Sequence, residues 1–283
     1  MSEPDVIFIT GANSGFGAAV AREALARGLR VFATARDPET LGALREAGGA
    51  RVATAALDVT DEAAVAAAVA AAMDRFERID LLHNNAGYGS MGGVEEVPMA
   101  EIRAQMDTNL FGALAVMRAV LPHMRAARCG TIVNMSSVAG FVGGPGYGIY
   151  AASKFALEAL SETVAAEAGG LGVRVLIVEP SGFRTDFHGR SLKAADGTIE
   201  DYADTAGRAT RGQRALDGHQ AGDPVAAARA MLDAATMDDP PTRLALGNDA
   251  IERMREKLSQ VAADLDRMEE VTRGADRATE AVA

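Results

Sequence analysis

Short apolar runs alternate with longer segments of helical pattern over most of this 283-residue chain. Most of the runs are continuously apolar rather than alternating, which is typical of strands covered on both faces of a sheet. Seven runs have the composition of strands: 6–10, 30–35, 51–58, 80–86, 130–137, 173–180 and 243–247. Because helix-sized segments separate the first six, the pattern predicts an α/β fold, a doubly wound parallel sheet with helices on both faces.

The chain has no internal repeat and no Pro- or Ser-rich linker, so we expect a single domain over residues 1–273 and a frayed tail over 274–283. Residues 186–222 are polar, contain several glycines and lack a clear period. Irregular segments of this length in a compact domain are commonly lids over a site, or are disordered. We interpret 186–222 as a lid over a substrate.

The segment 249–271 has the pattern of a C-terminal helix. Its apolar residues step alternately by three and four positions, as in a heptad repeat. They are Ile251, Met254, Leu258, Val261, Leu265 and Met268. The pattern favours a helix that packs on its own domain, and it leaves open a helix that contacts another subunit.

Composition limits the classes of partner. The net charge of −11 argues against a nucleic-acid-binding surface, which needs an excess of basic residues. The Ala-rich run 63–73 is too short to span a bilayer, and the N-terminus lacks the basic start and long apolar run of a signal peptide. A single cysteine, Cys129, excludes an internal disulfide and fits a reducing compartment. We therefore expect a cytoplasmic protein that binds neither nucleic acid nor membrane.

The four histidines have no metal-ligand spacing, so we expect no metal site. They stand at positions 83, 123, 188 and 219. His83 lies in a predicted strand and is interpreted as a core residue.

A glycine-rich turn follows the first predicted strand, where the chain reads TGANSGFG from Thr10 to Gly17. Gly11, Gly15 and Gly17 would allow a tight turn, a close approach of the backbone to a pyrophosphate, and close packing of the next helix on the strand. The N-terminus of that helix offers unpaired N–H groups and a positive dipole end to phosphates. The position of the turn favours a dinucleotide site over a merely structural connection.

The end of the second predicted strand bears on which dinucleotide binds. An acidic residue there would bind the ribose hydroxyls of NAD, but the chain reads Thr34-Ala35-Arg36-Asp37. The Arg36 guanidinium can hold a ribose 2′-phosphate through charge-assisted hydrogen bonds. We therefore favour NADP. In the alternative, Arg36 is a solvated charge and Asp37 binds the ribose.

Two further strand ends are candidates for contact with an adenosine. Asp58, followed by Val59, could accept a hydrogen bond from the adenine amino group, or it could cap a helix. Thr60 and Asp61 can supply that cap instead. The sequence Asn84-Asn85-Ala86-Gly87 offers amides and small residues to the adenosine, although alone it could be a structural turn.

Tyr150 and Lys154 are four residues apart, so on a helix they share one face. Tyr147 is seven residues from Lys154, and Gly146 and Gly148 disfavour a continuous helix through it. Tyr150 is thus the candidate for chemistry. Free tyrosine has a pKa of about 10, and both a nearby ammonium and a positively charged nicotinamide ring favour the phenolate. We therefore expect Lys154 and the nicotinamide together to lower the pKa of Tyr150.

Taken in order, these motifs resemble the short-chain dehydrogenase/reductase family, whose Rossmann-type fold they imply. The resemblance covers roughly residues 5–190. It rests on the glycine turn, Asp58-Val59, Asn84 to Gly87, Asn109, Ser137, Tyr150-x-x-x-Lys154, and Pro180 with Thr185. One departure is Pro180-Ser181-Gly182, where the family often has Pro-Gly. The runs VFATARDPETL and EPSGFRTDF are similar to steroid- and retinol-type reductases and their bacterial relatives.

The resemblance implies a catalytic set of Asn109, Ser137, Tyr150 and Lys154. Tyr150 is the general acid or base, and Lys154 supports it and binds the nicotinamide ribose. Ser137 binds the substrate oxygen, and Asn109 holds a water that relays protons to Lys154. Alternation along the fifth strand points the neighbouring Ser136 the other way. The implied cofactor-binding residues are Gly11, Asn13, Ser14, Gly15, Phe16, Gly17, Arg36, Asp58, Val59, Asn85, Ala86, Gly87, Tyr150, Lys154, Pro180, Gly182, Phe183 and Thr185.

The walls of a substrate pocket are expected from apolar and small residues near the reactive tyrosine, which favour an uncharged carbonyl or alcohol. They are Tyr88, Met91, Val142, Tyr147 and Phe187.

The predicted function is an NADP(H)-dependent oxidoreductase that transfers a hydride between the nicotinamide and a carbonyl or secondary alcohol. The alternative is a catalytically silent NADP-binding sensor, which would not need the catalytic set. A cofactor-free lyase would lack the glycine turn and Lys154, and both are present. The resemblance also implies a homodimer or homotetramer.

Overall fold

The computed structural model describes residues 4–187, 189, 191–195 and 199–276. Its main sheet has seven strands, all parallel, in the order β3-β2-β1-β4-β6-β7-β9. The strands are β1 (Val6–Ile9), β2 (Arg30–Ala35), β3 (Val52–Ala56), β4 (Leu81–Asn84), β5 (Gly89–Met91), β6 (Gly130–Met135), β7 (Val173–Pro180), β8 (Leu192–Ala194) and β9 (Arg243–Leu246). The predicted doubly wound sheet is confirmed, with all seven predicted strands in it.

Helices connect the strands and cover the sheet. They are α1 (Gly15–Ala26), α2 (Gly42–Gly48), α3 (Glu62–Phe76), α4 (Met99–Met106), α5 (Ala113–Ala127), α6 (Gly148–Ala168), α7 (Arg208–Ala215), α8 (Pro224–Thr236) and α9 (Asn248–Arg273). Local signals set several ends. Asp61 caps α3 by accepting hydrogen bonds from the backbone N–H groups of Ala63 and Ala64, and Asp223 caps α8 in the same way.

Each face of the sheet buries its own apolar core. Along β1 the side chains alternate, so Ile7 and Ile9 pack with α1 and α8, whereas Val6 and Phe8 pack with α3 and α5. The Phe8 ring stacks on Phe32 of the neighbouring strand, with 5.3 Å between the ring centroids. Burial on both faces explains why the strands read as continuous apolar runs.

The order of strands reverses between β1 and β4, because the chain winds outward in one direction to β3 and then returns to the other side. In such sheets the crevice outside the carboxyl ends of the strands at this point is where ligands bind. The glycine turn follows β1, and Asn85 follows β4, so both lie at this crevice.

A second sheet, of two short parallel strands, pairs β5 with β8. It ties the predicted lid to the body, because β8 lies inside residues 186–222. Further ties are a bridge between Phe183 and Gly222 and a hydrogen bond from the Ile199 N–H to Glu96. The segment also contains α7, so its described residues include regular structure that its weak pattern did not predict.

The C-terminal helix α9 differs from the favoured prediction. Only Ala250 is buried in it, and every residue from Leu258 to Arg273 is exposed. Most of the apolar stripe therefore does not pack on the described part of its own domain, because the helix touches that part only near its first turns.

Among the described residues, no helix combines the length and the apolar character that crossing a bilayer requires.

Candidate active site

A cavity of about 1120 Å³ opens at the crevice outside the strand ends. It is large enough for a dinucleotide and a small substrate together. Predicted site residues that line it are Ser14, Gly15, Phe16, Asn85, Gly87, Tyr88, Met91, Ser137, Tyr147, Tyr150, Lys154, Pro180, Gly182, Phe183, Thr185 and Phe187. The topology thus brings together predicted residues from five different segments of the chain.

The glycine turn has the close packing that the sequence predicts. Gly11 and Gly15 adopt positive φ angles of 63° and 53°, a conformation that favours glycine. A Cβ at Gly17 would lie 2.3 Å from the carbonyl oxygen of Gly11, so no other residue fits there without a shift of backbone. Ser14 is the N-cap residue of α1, but its side chain makes no capping hydrogen bond. The first N–H groups of α1 are therefore available to an anion.

Asn85 and Thr10 hold the turn against the end of β4. The Asn85 side-chain amide donates to the carbonyl oxygens of Thr10 and Gly11 at 3.0 and 2.9 Å. The Thr10 hydroxyl accepts hydrogen bonds from the backbone N–H groups of Asn85 and Ala86. Asn85 and Ala86 thus fix the shape of the glycine turn. The fixed turn and the free N–H groups at the start of α1 fit the pyrophosphate of a dinucleotide.

Arg36 and Asp58 lie outside the lining of the cavity, on exposed ends of neighbouring strands. Asp58 accepts hydrogen bonds from the backbone N–H and the hydroxyl of Thr60, at 3.0 and 2.7 Å. These bonds lower the pKa of Asp58, and the nearby charge of Arg36 adds to the effect. Asp61, not Asp58, caps α3. Arg36 and Asp58 are therefore close enough to act on the same end of a nucleotide.

Tyr150 and Lys154 occupy successive turns of α6, which begins at Gly148 with Tyr147 at its N-cap. The Tyr150 hydroxyl lies near the side chain of Ser137 at the end of β6, close enough for the serine hydroxyl to affect the pKa of the phenol. The Lys154 Nζ lies 5.8 Å from the centroid of the Tyr150 ring and donates to the Met135 carbonyl at 2.7 Å. Helix and strand end therefore meet with two hydroxyls and an ammonium facing the cavity.

The direction of the Tyr150 pKa corrects a prediction. Burial raises the pKa of Tyr150 to about 12, and the nearby Ser137 side chain opposes this only in part. Burial also lowers the pKa of Lys154 to about 8, against the attraction of Glu158. Lys154 by itself therefore does not produce the predicted lowering of the tyrosine pKa, because desolvation of the phenolate outweighs the attraction of the ammonium. The part of the prediction that rests on the charge of a nicotinamide ring stays a prediction.

Asn109 lies in a π-helical turn, Asp107–Gly112, that joins α4 to α5. Such turns are frequent at functional sites. Its side-chain amide donates to the Tyr88 carbonyl at 2.8 Å and to the Ser153 hydroxyl at 3.1 Å, and its oxygen accepts from the Tyr88 N–H. A Cβ at Gly87 would lie 3.0 Å from that oxygen and 3.6 Å from the Lys154 Nζ. Asn109 therefore stands beside Lys154 while it fixes the loop after β4.

On the substrate side, the Tyr150 and Phe187 rings lie 5.3 Å apart, and Tyr147 accepts a hydrogen bond of 2.6 Å from Arg253. Val142 is not among the residues that line the cavity. The reason is that the chain after Ser137 turns toward the other side of β7, where the neighbouring Phe141 ring lies under Arg243.

Several residues that line the cavity were not predicted from the sequence. Examples are Ser181, Leu192, Leu216, His219, Asn248, Asp249 and Arg253. Those in the lid carry no motif, and those in α9 lie off its apolar stripe. The contact between α9 and Tyr147 joins residues far apart in the chain, so no local sequence pattern predicts it.

His83, which was interpreted as a core residue, is buried in β4, and burial lowers its pKa to about 3. Within the described ranges, no group of three or more His, Cys, Asp and Glu residues is arranged to hold a metal ion.

A family model for the short chain dehydrogenase matches residues 5–196. The chain belongs to the short-chain dehydrogenase family. This dehydrogenase is 36% identical over 266 residues to the oxidoreductase BOA17 of Botryotinia fuckeliana, which covers 94% of this chain and 97% of that one. It is 39% identical to a short-chain dehydrogenase of Streptomyces avermitilis of known structure, over 96% of this chain and 100% of that one, with a TM-score of 0.90.

Solved relatives bind either nicotinamide nucleotide. ElxO, solved with NADP bound, is 25% identical with a TM-score of 0.73 and covers 88% of this chain and 99% of that one. A member from Burkholderia phymatum, solved in complex with NAD, is 24% identical with a TM-score of 0.80 over 93% and 95% of the two chains, a likeness of fold alone. As a member of this family, the protein is an oxidoreductase that transfers a hydride to or from a nicotinamide nucleotide.

Proposed function

We propose that this dehydrogenase reversibly reduces a ketone or aldehyde with NADPH, with Tyr150 as the general acid in reduction and the general base in oxidation. The observation that carries the proposal is the meeting of Ser137, Tyr150 and Lys154 at one wall of the cavity, below the glycine turn. A bound nicotinamide supplies or accepts the hydride.

The residues of the chain bind the substrate oxygen and move its proton. The hydroxyls of Ser137 and Tyr150 are neighbours, so one carbonyl oxygen can accept a hydrogen bond from each. As the carbonyl carbon gains a hydride, its oxygen gains negative charge and takes the phenolic proton of Tyr150. A tyrosine pKa raised to about 12 supports this direction, because the phenol carries its proton at neutral pH.

Lys154 and Asn109 would assist the proton transfer from Tyr150 without contacting the substrate. The Lys154 ammonium, beside the Tyr150 ring, stabilises the phenolate that remains after the proton has left. We propose that Lys154 also binds the nicotinamide ribose, and that Asn109 holds a water that returns a proton through Lys154. The position of both side chains beside Gly87 supports this route.

We propose NADP rather than NAD as the preferred nucleotide. The support is Arg36, exposed at the carboxyl end of β2, and the absence of an acidic residue at the end of that strand. Its guanidinium is near enough to Asp58 to affect the pKa of that carboxyl. A 2′-phosphate would therefore meet a cation at the adenosine end of the site.

Further proposals concern organisation. We propose that residues 1–273 form one domain and that 186–222 closes over the substrate, which the tie between β5 and β8 supports. We also propose a homodimer or homotetramer in the cytoplasm, a location with which the single Cys129 accords. The predicted tail 274–283 falls mostly outside the described residues.

The test is a pair of matched variants, Tyr150→Phe and Tyr147→Phe. Each removes one hydroxyl from the same cavity. Tyr150→Phe is expected to lower kcat for NADPH-dependent reduction of a panel of ketones and aldehydes by about 10²–10⁴-fold, the usual contribution of a general acid. Its Kd for NADPH, from fluorescence titration, is expected to stay within a few fold.

Tyr147→Phe removes only the contact with Arg253, so it is expected to change KM more than kcat. Turnover by Tyr150→Phe at the wild-type rate would overturn the assignment of the acid. Tight NADPH binding by the wild type without turnover of any carbonyl would favour the sensor alternative.

A further inference from the structure

The apolar stripe of α9 is left uncovered by the described part of the protein. Leu258 is 56% exposed and Leu265 is 64% exposed. The other exposed members of the stripe are Ile251, Val261 and Met268, followed by Val271. A regular heptad stripe of this kind is the surface through which helices pair.

We propose that α9 pairs with α9 of a second copy of this chain, in an antiparallel orientation about a two-fold axis between Ser259 and Gln260. This inference does not depend on the proposed reaction. About that axis, each core residue meets another core residue. The pairs are Ile251 with the partner's Met268, Met254 with the partner's Leu265, and Leu258 with the partner's Val261. No core position faces a polar residue.

The charges beside the stripe select the antiparallel orientation. Lys257 and Asp264 each precede a core leucine by one position, and these flanking positions face each other in antiparallel pairs. Lys257 would therefore meet the partner's Asp264, twice by symmetry. In the single chain Asp264, which is 67% exposed, contacts Arg267, which is 73% exposed. An ion pair so exposed contributes little to stability.

A parallel pair is disfavoured by the same residues. In that orientation a flanking residue meets the partner residue five positions later. Asp264 would then face the partner's Glu269, a contact of like charges repeated on both sides.

The position of α9 makes its pairing relevant to the cavity. Asn248, Asp249 and Arg253 in the first turns of α9 line the wall, and Arg253 donates a hydrogen bond to Tyr147. Beyond these turns the helix makes few contacts with the body. A second copy would cover the stripe and hold the helix that completes the wall.

The first test compares Leu258→Glu with Ala263→Glu by sedimentation and light scattering of the full chain. Both residues are exposed, so neither change should lower the midpoint of thermal unfolding of the α/β body. Leu258→Glu places a charge in the seam on both chains and is expected to weaken association at least 100-fold or to halve the particle mass. Ala263→Glu, on the opposite face of α9, is the control and should leave the mass unchanged.

A wild-type protein that stays monomeric at concentrations on the order of 100 μM would overturn the proposal. So would an oligomer that Leu258→Glu does not alter, since it would use another surface.

The second test addresses orientation. Asp264→Lys replaces two attractions with two repulsions in the antiparallel pair and is expected to weaken association by about 10-fold. The double variant Lys257→Glu with Asp264→Lys restores opposite charges and should regain the wild-type affinity. Tighter association of Asp264→Lys, which would then pair with Glu269, would show a parallel arrangement and overturn the register.

Discussion

A single guanidinium beneath the active site faces three carboxylates. Arg243 on β9 contacts Glu158 and Glu162 of α6, each at 2.6 Å, and Glu179 of β7. The Glu179 side chain is fully buried, and its Oε2 has no hydrogen-bond partner among the residues that the structure describes. One cation cannot neutralise three anions, so the most buried carboxyl binds a proton more readily than a free carboxyl does. Burial, with the neighbouring charge of Glu158, raises the pKa of Glu179 to about 7.

The effect of Glu179 on stability follows from the difference between its pKa in the unfolded and the folded chain. In the unfolded chain Glu179 titrates near its ordinary pKa of 4.5, whereas in the folded protein it titrates near 7. Between these values the folded state binds more protons than the unfolded state, so stability falls as the pH rises. The contribution of protonated Glu179 is complete below pH 4.5 and lost above pH 7. The loss corresponds to roughly 3 kcal/mol in the free energy of unfolding.

Glu179→Gln is the test, because glutamine has nearly the same shape and does not titrate. We expect urea unfolding to show that the variant gains up to roughly 3 kcal/mol relative to wild type between pH 5 and pH 8. Glu162→Gln is the matched control: it touches the same Arg243, but its side chain is 55% exposed, so its effect should be small and independent of pH. A Glu179→Gln variant whose relative stability is equal at both pH values, or lower at pH 8, would show that Glu179 is ionised in the folded protein.

Two further predictions concern the nucleotide. Arg36→Asp should change the preference for NADPH over NADH, measured as the ratio of their kcat/KM values, by about 10²-fold or more toward NADH. The reason is that a carboxylate repels a 2′-phosphate and binds ribose hydroxyls. An unchanged ratio in steady-state kinetics would exclude a contact between Arg36 and the 2′-phosphate. Gly17→Ala should weaken nucleotide binding in a fluorescence titration, because the new Cβ would lie 2.3 Å from the Gly11 carbonyl and push the turn apart. Gly169→Ala is the control, because its Cβ would meet nothing within 4 Å and its φ of −57° suits alanine; it should leave nucleotide binding unchanged.

Much of the fold could be predicted because local sequence carries it. Continuous apolar strands, each followed by a helix, permit few arrangements other than a doubly wound sheet. The site at its crevice could be predicted for the same reason. Residues such as Gly17 and Ser137 stand at strand ends, and in a parallel sheet all those ends meet at one edge.

What could not be predicted depends on contacts between distant segments. The pairing of β5 with β8 joins two short stretches that lack a strand pattern of their own. The hydrogen bond from Arg253 to Tyr147 spans 106 positions. The pKa of Tyr150 depends on how many atoms surround the phenol, which a spacing of four residues from Lys154 does not reveal.

The exposed stripe of α9 illustrates the same limit. A heptad pattern states that a helix has an apolar face, but not which surface covers it.

The central claim is that Tyr150 donates a proton during NADPH-dependent reduction of a carbonyl. The most direct measurement is a single-turnover experiment with NADPH and a ketone that the wild type reduces, followed by NADPH fluorescence for wild type and Tyr150→Phe, with solvent H₂O or D₂O. We expect full binding of NADPH by both proteins, a solvent isotope effect on reduction by the wild type, and reduction at least about 10²-fold slower in the variant. Reduction by Tyr150→Phe at the wild-type rate would contradict it.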